Sequence, residues 1–393
     1  MSTLNIFLTI AAGVSAAVWI YFLLFRGRFW RCAERLDKHL EEPARWPVVT
    51  AVIPARNEGP IIESTLTTLF DQDYPGELHI ILVNDESSDD TAAAALKAAK
   101  ASGADRFHME FTGERPGGWV GKMWALNTGV RAAKVLVPET KYLLFTDADI
   151  AHSTGNLRDL VKKAESQGLD LVSLMVLLQC GQGWTRLLIP AFVYFFQKVY
   201  PFSWVNNARR GTAAAAGGCM LVRKNALEFA GGLEKIKDEI IDDCALARVI
   251  KRGGPIWLGL TTTERSVRPY AGLKEIWDMV ARTAYTELNH SPGVLFATLA
   301  GMFLFYLLPP LAFLLWPLHG NTPAMLLGGA GWFMSALTFM PVLALYGRSR
   351  LLAPFLPLAA LLYGAMTFDS ARRHAKGTGA LWKGRVGAGS IDA

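Results

Sequence analysis

Long uncharged stretches indicate membrane-spanning regions at both ends of the chain, and short strand-like runs that alternate with helical patterns indicate a globular region between them. Residues 4–25 carry no charged side chain, and residues 288–347 contain no Asp, Glu, Lys or Arg. Because about 20 apolar residues cross a bilayer as a helix, these patterns predict an N-terminal anchor over residues 1–26 and two later spans over 294–318 and 323–346. Between about residues 46 and 290, short β-branched runs alternate with helical periodicity. That alternation predicts an α/β domain with a mostly parallel sheet flanked by helices.

The C-terminal part of the pattern leaves the membrane topology open. A fourth apolar stretch, residues 351–368, is only marginally long and carries Pro354 and Pro357. Arginines follow the first stretch rather than precede it, which indicates a retained anchor whose C-terminal end faces the cytoplasm. If all the late stretches within residues 291–368 crossed, the basic tail over 369–393 would lie opposite the central domain, although basic segments favour the inside. We therefore expect one stretch to be re-entrant or interfacial, with 351–368 as the candidate.

Two other segments are candidates for the membrane interface. Residues 187–205 are rich in aromatic side chains but contain Lys198 and two prolines, so they do not cross a bilayer easily. They suit the headgroup layer, and a buried core segment explains the same pattern equally well. Residues 272–288 form an amphipathic stretch that is a second interfacial candidate.

The central domain places polar residues where its strands end. The pattern predicts strands over 48–53, 79–83 and 142–146, and helices over about 60–70, 91–101 and 122–133. In such sheets ligands bind at the carboxyl ends of the strands. The three strands are followed by Pro54-Ala55-Arg56-Asn57-Glu58, by Asn84-Asp85-Glu86-Ser87-Ser88-Asp89 and by Asp147-Ala148-Asp149. We expect these groups to converge on one edge of the sheet. No GxxxxGK[ST] or GxGxxG sequence is present, which argues against a P-loop NTPase or a dinucleotide enzyme.

Composition narrows the class of protein. The 393 residues are 51% hydrophobic and 19% charged, and the charged share is below the roughly 25% of an ordinary soluble domain. A formal net charge of +6 is too weak to indicate a nucleic-acid partner and suits basic loops that face anionic membrane lipids. None of the four cysteines forms a CxxC pair, so the sequence suggests neither a structural zinc site nor a disulfide framework.

Several carboxylates at one edge of the sheet require other groups that offset their negative charge. Their mutual repulsion is costly unless a cation or hydrogen-bond donors offset it. Mg²⁺ or Mn²⁺ with oxygen ligands meets that demand, and a diphosphate substrate would supply the remaining oxygens. An Asp after a strand is often only a turn residue or a helix N-cap, which explains Asp89 well. Asp147 and Asp149, one residue apart, are not both needed for a turn, so they favour a functional role.

A second acidic pair, Asp242-Asp243, opens a helix predicted to run to about Lys251. These residues are explained equally well as first-turn acids favoured by the helix dipole and as a general base, which a helix N-terminus would keep ionised. Gly217-Gly218 indicates either a tight turn or close approach of the backbone to a ligand. Lys122 offers a cation for a phosphate, or is simply a solvated helix residue.

In order and spacing, five segments of the chain resemble the family 2 glycosyltransferases, which have the GT-A nucleotide-sugar-binding fold. They are IPARNE at 53–58, NDESSD at 84–89, GWVGK at 118–122, DAD at 147–149 and IDDCAL at 241–246. Five segments, two of which overlap those just named, resemble the bacterial hopene-associated glycosyltransferases more closely. They are GWVGKMWALNTG at 118–129, AAAAGGCMLVRK at 213–224, DDCALA at 242–247, SVRPY at 266–270 and WKGR at 382–385. This resemblance implies a GT-A catalytic domain over residues 46–290.

The resemblance also implies a role for each matching residue. Asp149 would ligate a Mg²⁺ or Mn²⁺ ion, and Asp243 would deprotonate the acceptor hydroxyl for an inverting displacement at the anomeric carbon. The residues implied to bind the nucleotide sugar are Pro54, Ala55, Asn57, Glu58, Asp85, Lys122, Asp147 and Asp242.

The implied reaction moves one sugar from a nucleotide sugar, expected to be a UDP-sugar, to a lipid linked to hopanoid metabolism. The reaction would take place on the cytoplasmic face of the bacterial inner membrane, where membrane lipids would contact the protein. The QxxRW motif of processive polysaccharide synthases is absent from the sequence, which favours transfer of a single sugar. A polyprenyl-phosphate or glycan acceptor is an alternative, and a non-catalytic membrane scaffold on a transferase fold is a third hypothesis.

Overall fold

The computed structural model describes residues 2–37 and 39–378. They form two compact units, each assembled from separate parts of the chain. The apolar unit comprises residues 2–32, 180–203 and 270–378, and the sheet unit comprises residues 33–37, 39–179 and 204–269. Lys383 and Arg385 of the predicted basic tail, and the WKGR segment, lie outside the described residues.

One eight-stranded sheet organises the sheet unit. Its strands are β1 (Val49–Ala55), β2 (Leu78–Asn84), β3 (Phe107–Phe111), β4 (Tyr142–Thr146), β5 (Ile150–Ala151), β6 (Leu171–Leu177), β7 (Cys219–Arg223) and β8 (Ile256–Ser266). Their spatial order is β3-β2-β1-β4-β7-β6-β8-β5. The pairs β3–β2, β2–β1, β1–β4 and β6–β8 are parallel, whereas β4–β7, β7–β6 and β8–β5 are antiparallel. The predicted mostly parallel sheet is therefore correct for the first half of the domain, and the whole sheet is mixed because β7 runs against its neighbours.

The helices of the described residues are numbered in chain order. They are α1 (Thr3–Leu24), α2 (Gly59–Phe70), α3 (Thr91–Ala101), α4 (Gly121–Leu136), α5 (Asn156–Gln167), α6 (Thr185–Val199), α7 (Phe202–Val205), α8 (Lys224–Phe229), α9 (Asp242–Lys251), α10 (Leu273–Glu287), α11 (Pro292–Met302), α12 (Leu308–Leu314), α13 (Trp316–His319), α14 (Thr322–Leu345) and α15 (Leu356–Ala375). The predicted helices over about 60–70, 91–101 and 122–133 correspond to α2, α3 and α4, and the helix predicted from Asp242 to Lys251 is α9.

The sheet unit packs its core on the buried strands. All seven residues of β1 and all five of β4 are buried, as expected for strands covered on both faces. Helix α4 approaches the sheet closely at Gly129, where an added Cβ would lie 2.3 Å from Cγ1 of Val52. Strand β1 extends two residues beyond its predicted end. Its pairing with β4 stops at Val52, so Pro54, which has no N–H to donate, lies where no ladder partner is required.

The apolar unit contains four helical segments long and apolar enough to cross a membrane: Thr3–Leu24, Pro292–Leu314, Thr322–Leu345 and Arg350–Ala375. They correspond to the four predicted apolar stretches. The segment over residues 187–205, predicted as interfacial or buried, forms most of α6 and all of α7, and most of its apolar side chains are buried. That burial matches the core alternative. The amphipathic stretch over residues 272–288 forms α10, which packs its apolar face on α15.

The last apolar segment turns back within its unit. Helix α14 begins beside the start of α1, where the Asn321 side-chain amide donates to the carbonyl of Asn5 at 2.7 Å. Near the middle of α14, the Trp332 indole N–H donates to the carbonyl of Pro354 at 2.9 Å. The turn that precedes α15 therefore lies beside the middle of α14 at Pro354.

The other end of that segment lies at the start of α11. The rings of His374 and His290 stack with centroids 4.2 Å apart, and the backbone N–H of Tyr285 donates to Ser370 Oγ at 3.0 Å. From this end, α11 and α12 lead towards the turn that precedes Asn321. The C-terminal end of α15 is thus at the opposite end of the unit from the Asn5–Asn321 contact.

Candidate active site

Strand direction explains why distant residues meet at one edge of the sheet. The parallel strands β1, β2 and β4 end there, so the loops that follow them carry Asn57 and Glu58, Asp85, and Asp147 and Asp149 to the same edge. Strand β7 runs the other way and begins at this edge, which places Gly217 beside them. Strand β8 ends at Ser266, whose register partner Ile150 directly follows Asp149.

A lysine cluster forms at the middle of this edge. It consists of Lys122 on the first turn of α4, Asp147 after β4, Asp242 and Asp243 on the first turn of α9, and Gly217. The Lys122 ammonium lies 2.9 Å from Asp147 Oδ1 and 3.3 Å from Asp242 Oδ2. The backbone N–H groups of Gly217 and Cys244 donate to Asp243 at 2.9 and 2.7 Å. Helices α4 and α9 therefore bring a cation and carboxylates together at their N-termini.

The lysine cluster controls the protonation of Asp243. Burial and the neighbouring Asp242 carboxylate raise the pKa of Asp243 to about 7, although Lys122 and the two N–H donors oppose the rise. Burial also opposes the charged form of Lys122, but Asp147 and Asp242 raise its pKa above the ordinary value. The expectation of a fully ionised Asp243 was therefore wrong near neutral pH. The helix dipole favours the anion, but burial and a second carboxylate outweigh it here.

An arginine clamp lies beside the lysine cluster. Arg268, two residues beyond β8, donates from Nη2 to Glu58 Oε1 at 2.6 Å and Oε2 at 2.9 Å, and from Nε to Asp149 Oδ2 at 3.2 Å. The Ser266 hydroxyl also donates to Asp149 Oδ2, at 2.8 Å. Sequence reasoning assigned no role to Arg268 or Ser266. The only available signal was a basic residue shortly after a strand, inside the SVRPY segment.

Hydrogen bonds join the loop after β1 to the loop after β2. The Asp85 side chain is buried, and its Oδ1 accepts from the Thr112 hydroxyl at 3.0 Å. Arg56 donates to the Asp85 carbonyl at 2.7 Å. Asn57 adopts a left-handed backbone (φ 50°), and its side-chain oxygen accepts from the N–H of Ser88 at 2.8 Å. Asp85 is therefore a structural support of this loop pair as well as a predicted nucleotide-binding residue.

A buried polar network fixes the end of β4 under the two aspartates. Burial lowers the pKa of His152 to about 4, so its ring is neutral. One ring nitrogen contacts the Asn156 side-chain amide at 2.8 Å and the other contacts the Thr146 hydroxyl at 2.9 Å. Thr146 in turn donates to the Gly218 carbonyl at 2.9 Å. The network ties the strand ends that hold Asp147 and Gly217 to each other.

The structure brings most of the predicted site residues together in two groups. Lys122, Asp147, Asp242 and Asp243 share the lysine cluster, and Glu58 and Asp149 share the arginine clamp. The remaining predicted residues, Pro54, Ala55, Asn57 and Asp85, line the end of β1 and the loops beside it.

The carboxylate oxygens at this edge supply some, but not all, of the ligands that a hard divalent ion needs. Asp147 and Asp149 offer carboxylate oxygens, and Mg²⁺ in phosphate-binding sites is often held by one or two carboxylates plus substrate oxygens. Within residues 2–37 and 39–378, no group of three or more His, Cys, Asp or Glu side chains could hold a metal by itself. The protein ligands present therefore fit an ion that takes its other ligands from a bound phosphate and from water.

Comparison with known proteins finds a family model and solved structures to which the chain is similar. Residues 50–230 match the family model described as Glycosyl transferase family 2. The chain also resembles the mannosyltransferase PcManGT from Pyrobaculum calidifontis in complex with GDP-Man and Mn²⁺, with a TM-score of 0.56, 20% identity and coverage of 94% of this chain and 99% of that one. No curated protein sequence matches the chain. Residues 50–230 are therefore similar to the family 2 glycosyltransferases, and the chain shares its overall fold with the mannosyltransferase structure, in agreement with the predicted resemblance.

Two further solved structures resemble the chain more weakly. TarS from S. aureus gives a TM-score of 0.40 at 16% identity, covering 61% of this chain and 40% of that one. The glucosyl-3-phosphoglycerate synthase from Mycobacterium tuberculosis, in complex with Mg²⁺ and UDP, gives 0.40 at 19% identity, covering 63% and 79%. Neither likeness is close enough to add to the assignment of the fold.

Removing the Lys122 charge should destabilise the sheet unit in a pH-dependent manner. In Lys122→Met, three carboxylates lose their shared cation, and we expect a loss on the order of 3 kcal/mol in the free energy of unfolding. Burial and Asp242 already raise the pKa of Asp243, and it should rise further without Lys122, so the folded protein binds more protons than the unfolded chain. Stability should therefore fall as the pH is raised from 6 to 8. Thermal unfolding in detergent at each pH measures the effect.

Lys97→Met is the matched control, because Lys97 forms an exposed pair with Glu63 away from the site. It should change stability by less than about 0.5 kcal/mol at every pH. Equal behaviour of the two variants across this pH range would contradict the role given to Lys122.

Proposed function

We propose that the protein is a membrane-bound inverting glycosyltransferase that moves a single sugar from a nucleotide sugar to a lipid acceptor. The observation that carries this proposal is the position of Asp243. Its carboxylate is held by two backbone N–H groups at the edge of a family 2 domain, close to a lysine that neutralises Asp147 and Asp242. That arrangement supplies a fixed base next to a site suited to an anionic leaving group.

The donor's diphosphate would lie against the charged groups at the sheet edge. Lys122 provides a fixed positive charge for the leaving diphosphate, whose negative charge grows as the sugar departs. Asp149 would hold a Mg²⁺ or Mn²⁺ ion, which when bound would neutralise the same charge as a Lewis acid. Asp147 would contact the ribose or the diphosphate of the donor. The nucleoside would bind along Pro54, Ala55, Asn57, Glu58 and Asp85, with Asp242 orienting the Lys122 ammonium.

Asp243 acts as the general base in this proposal. The acceptor hydroxyl gives its proton to the Asp243 carboxylate while its oxygen forms a bond to the anomeric carbon. The bond from that carbon to the diphosphate oxygen breaks, and the electron pair leaves with the diphosphate. A single displacement inverts the configuration. The Gly217 and Cys244 N–H groups keep the carboxylate in place, and a pKa of about 7 suits a base that works near neutral pH.

The proposed acceptor is a lipid because the same chain carries four apolar helical segments. The SVRPY segment and the long GWVGKMWALNTG segment favour a hopanoid-linked lipid through their resemblance to hopene-associated enzymes. A polyprenyl phosphate or a glycan is the alternative acceptor. A UDP-sugar is the proposed donor, and GDP-mannose is the alternative because the related mannosyltransferase structure contains it. The complete set of charged residues at the sheet edge disfavours a non-catalytic scaffold.

We further propose a topology of three crossings and one re-entrant segment in the bacterial inner membrane. The Trp332–Pro354 contact and the His290–His374 stack support it, because they place both ends of Arg350–Ala375 away from the Asn5–Asn321 end of the apolar unit. The basic residues after α1 favour the cytoplasm for the opposite end. The catalytic domain and the C-terminal tail then share the cytoplasmic side.

Asp243→Asn should abolish transfer while leaving donor binding intact. Loss of a general base lowers rates by about 10²–10⁴-fold, whereas the amide keeps the shape of the side chain. Detergent-purified protein is incubated with a bacterial lipid extract and radiolabelled UDP-sugars or GDP-mannose, and label in the lipid phase measures transfer. Nucleotide affinity should change by less than about threefold.

Asp238→Asn is the matched control, since Asp238 is an exposed carboxylate on the segment that leads to α9. It should transfer at the wild-type rate. The wild-type rate should also rise with pH and level off above about 7, as Asp243 loses its proton. If Asp243→Asn keeps more than a tenth of the wild-type rate, Asp243 is not the base.

Cysteine labelling tests the topology. The four native cysteines are buried, so a membrane-impermeant maleimide should report on introduced ones. Thr378→Cys lies just beyond α15 and Thr322→Cys begins α14, and both positions are exposed. We expect Thr378→Cys to react only in inverted vesicles and Thr322→Cys only in intact spheroplasts. Labelling of both from the same side would show that Arg350–Ala375 crosses the membrane.

A further inference from the structure

We propose that Arg268 is an ionic latch of the donor site, which occupies Asp149 and Glu58 until a nucleotide diphosphate draws it away. In this proposal a divalent cation and the Arg268 guanidinium compete for Asp149. The diphosphate relieves the competition because it offers the guanidinium a new partner. The inference rests on the proposed function, since it assigns the order in which metal and donor bind at the same edge of the sheet.

The geometry of the clamp shows why the two cations exclude each other. Arg268 Nε lies 3.2 Å from Asp149 Oδ2, and the Ser266 hydroxyl donates to the same oxygen. Arg268 Nη2 bridges both oxygens of Glu58. A metal ion on Asp149 would meet the guanidinium at a distance of a few ångströms, where two like charges repel strongly. The metal therefore binds Asp149 well only when Arg268 leaves.

The latch is built to release its side chain without moving the backbone. The backbone N–H of Val267 donates to the Asp149 carbonyl at 2.8 Å, and that of Arg268 donates to Ser266 Oγ at 3.2 Å. These bonds fix the chain beside Asp149. The Arg268 side chain is 41% exposed, whereas those of Glu58 and Asp149 are 8% and 15% exposed. The guanidinium can therefore turn outwards while its partners stay at the sheet edge.

A diphosphate is the partner that this arrangement favours. A planar guanidinium can pair N–H groups on two of its nitrogens with two phosphate oxygens, whereas Arg268 contacts both oxygens of Glu58 through Nη2 alone. When Arg268 leaves, Glu58 and Asp149 retain two negative charges that attract a divalent ion. Metal and nucleotide should then each strengthen the binding of the other, and by thermodynamic linkage the two effects must be equal.

Measurement of Mn²⁺ binding tests the latch without any need for transfer. Free Mn²⁺ is quantified by electron paramagnetic resonance on the full-length protein in detergent, alone and with saturating UDP. In wild type we expect weak binding of Mn²⁺ alone and an increase in affinity with UDP on the order of tenfold or more. In Arg268→Gln, Mn²⁺ alone should bind on the order of tenfold more tightly than in wild type, and the enhancement by UDP should fall to about twofold or less.

Two further variants keep the test decisive. Arg268→Lys retains the charge but lacks the fork, so Mn²⁺ alone should bind as weakly as in wild type while the enhancement by UDP is reduced. Arg265→Gln is the matched control, because Arg265 is an exposed arginine near the end of β8 whose Nε donates to the nearby carbonyl of Thr263. It should behave as wild type. Thermal unfolding of each variant confirms that it is folded.

The opposite pattern would overturn the proposal. If Arg268→Gln weakens the binding of Mn²⁺ alone, Arg268 supports the metal site rather than competing for it. An unchanged enhancement by UDP in that variant would mean that the guanidinium does not move to the diphosphate. If neither UDP nor GDP binds to wild type, the proposed function fails. The affinities of wild type and Arg268→Gln for Mn²⁺ without nucleotide still decide whether Arg268 competes with the metal for Asp149.

Discussion

The charge balance at one edge of the sheet is the constraint on which the site depends. Strand direction brings carboxylates from the ends of β1 and β4 and from the start of α9 to this edge, where their repulsion would be severe without cations. Lys122 and Arg268 supply those cations from inside the chain. The same two residues are the ones able to meet an anionic leaving group. In the proposed function, the charges that stabilise the edge are therefore also the charges that recognise the donor.

This balance also sets the properties of the proposed base. Lys122 favours the ionised form of Asp243 and the Asp242 carboxylate disfavours it, and burial strengthens both interactions. Burial and the Asp242 carboxylate raise the pKa of Asp243 to about 7, against the opposing effects of Lys122 and of two backbone N–H donors. A base with that pKa is available near neutral pH and can still hold the proton that it takes from an acceptor hydroxyl.

Much of the sheet unit could be predicted from the sequence because local pattern determines it. The buried strands β1, β2 and β4 and the helices that follow them have periodicities that need no knowledge of distant contacts. The acidic residues after β4 were recognised because two carboxylates one residue apart have no simple structural explanation. The reversed direction of β7 could not be read from its short apolar run. Arg268 was missed because only the pairing of β5 with β8 brings it to Asp149, 119 residues earlier in the sequence.

In the apolar unit too, some features could be predicted from the sequence and others could not. Hydropathy alone located its four long helices, and the basic tail suggested that one of them does not cross. The contact between Trp332 and Pro354 results from packing between the helical segments, and hydropathy carries no information about such contacts. The ionisation of Asp243 was misjudged for a related reason, because a helix position is visible in the sequence and the burial of its carboxylate is not.

The central claim is that the charged edge of the sheet binds a nucleotide diphosphate through its own cations and a divalent ion. Calorimetric titration of the detergent-purified protein with UDP and with GDP, in Mn²⁺ and in EDTA, tests this claim most directly, with Asp149→Ala as the comparison. We expect one of the two nucleotides to bind in Mn²⁺ and to bind much more weakly in EDTA or to Asp149→Ala. Binding of neither nucleotide under any condition, or binding that is indifferent to both Mn²⁺ and Asp149, would contradict the claim.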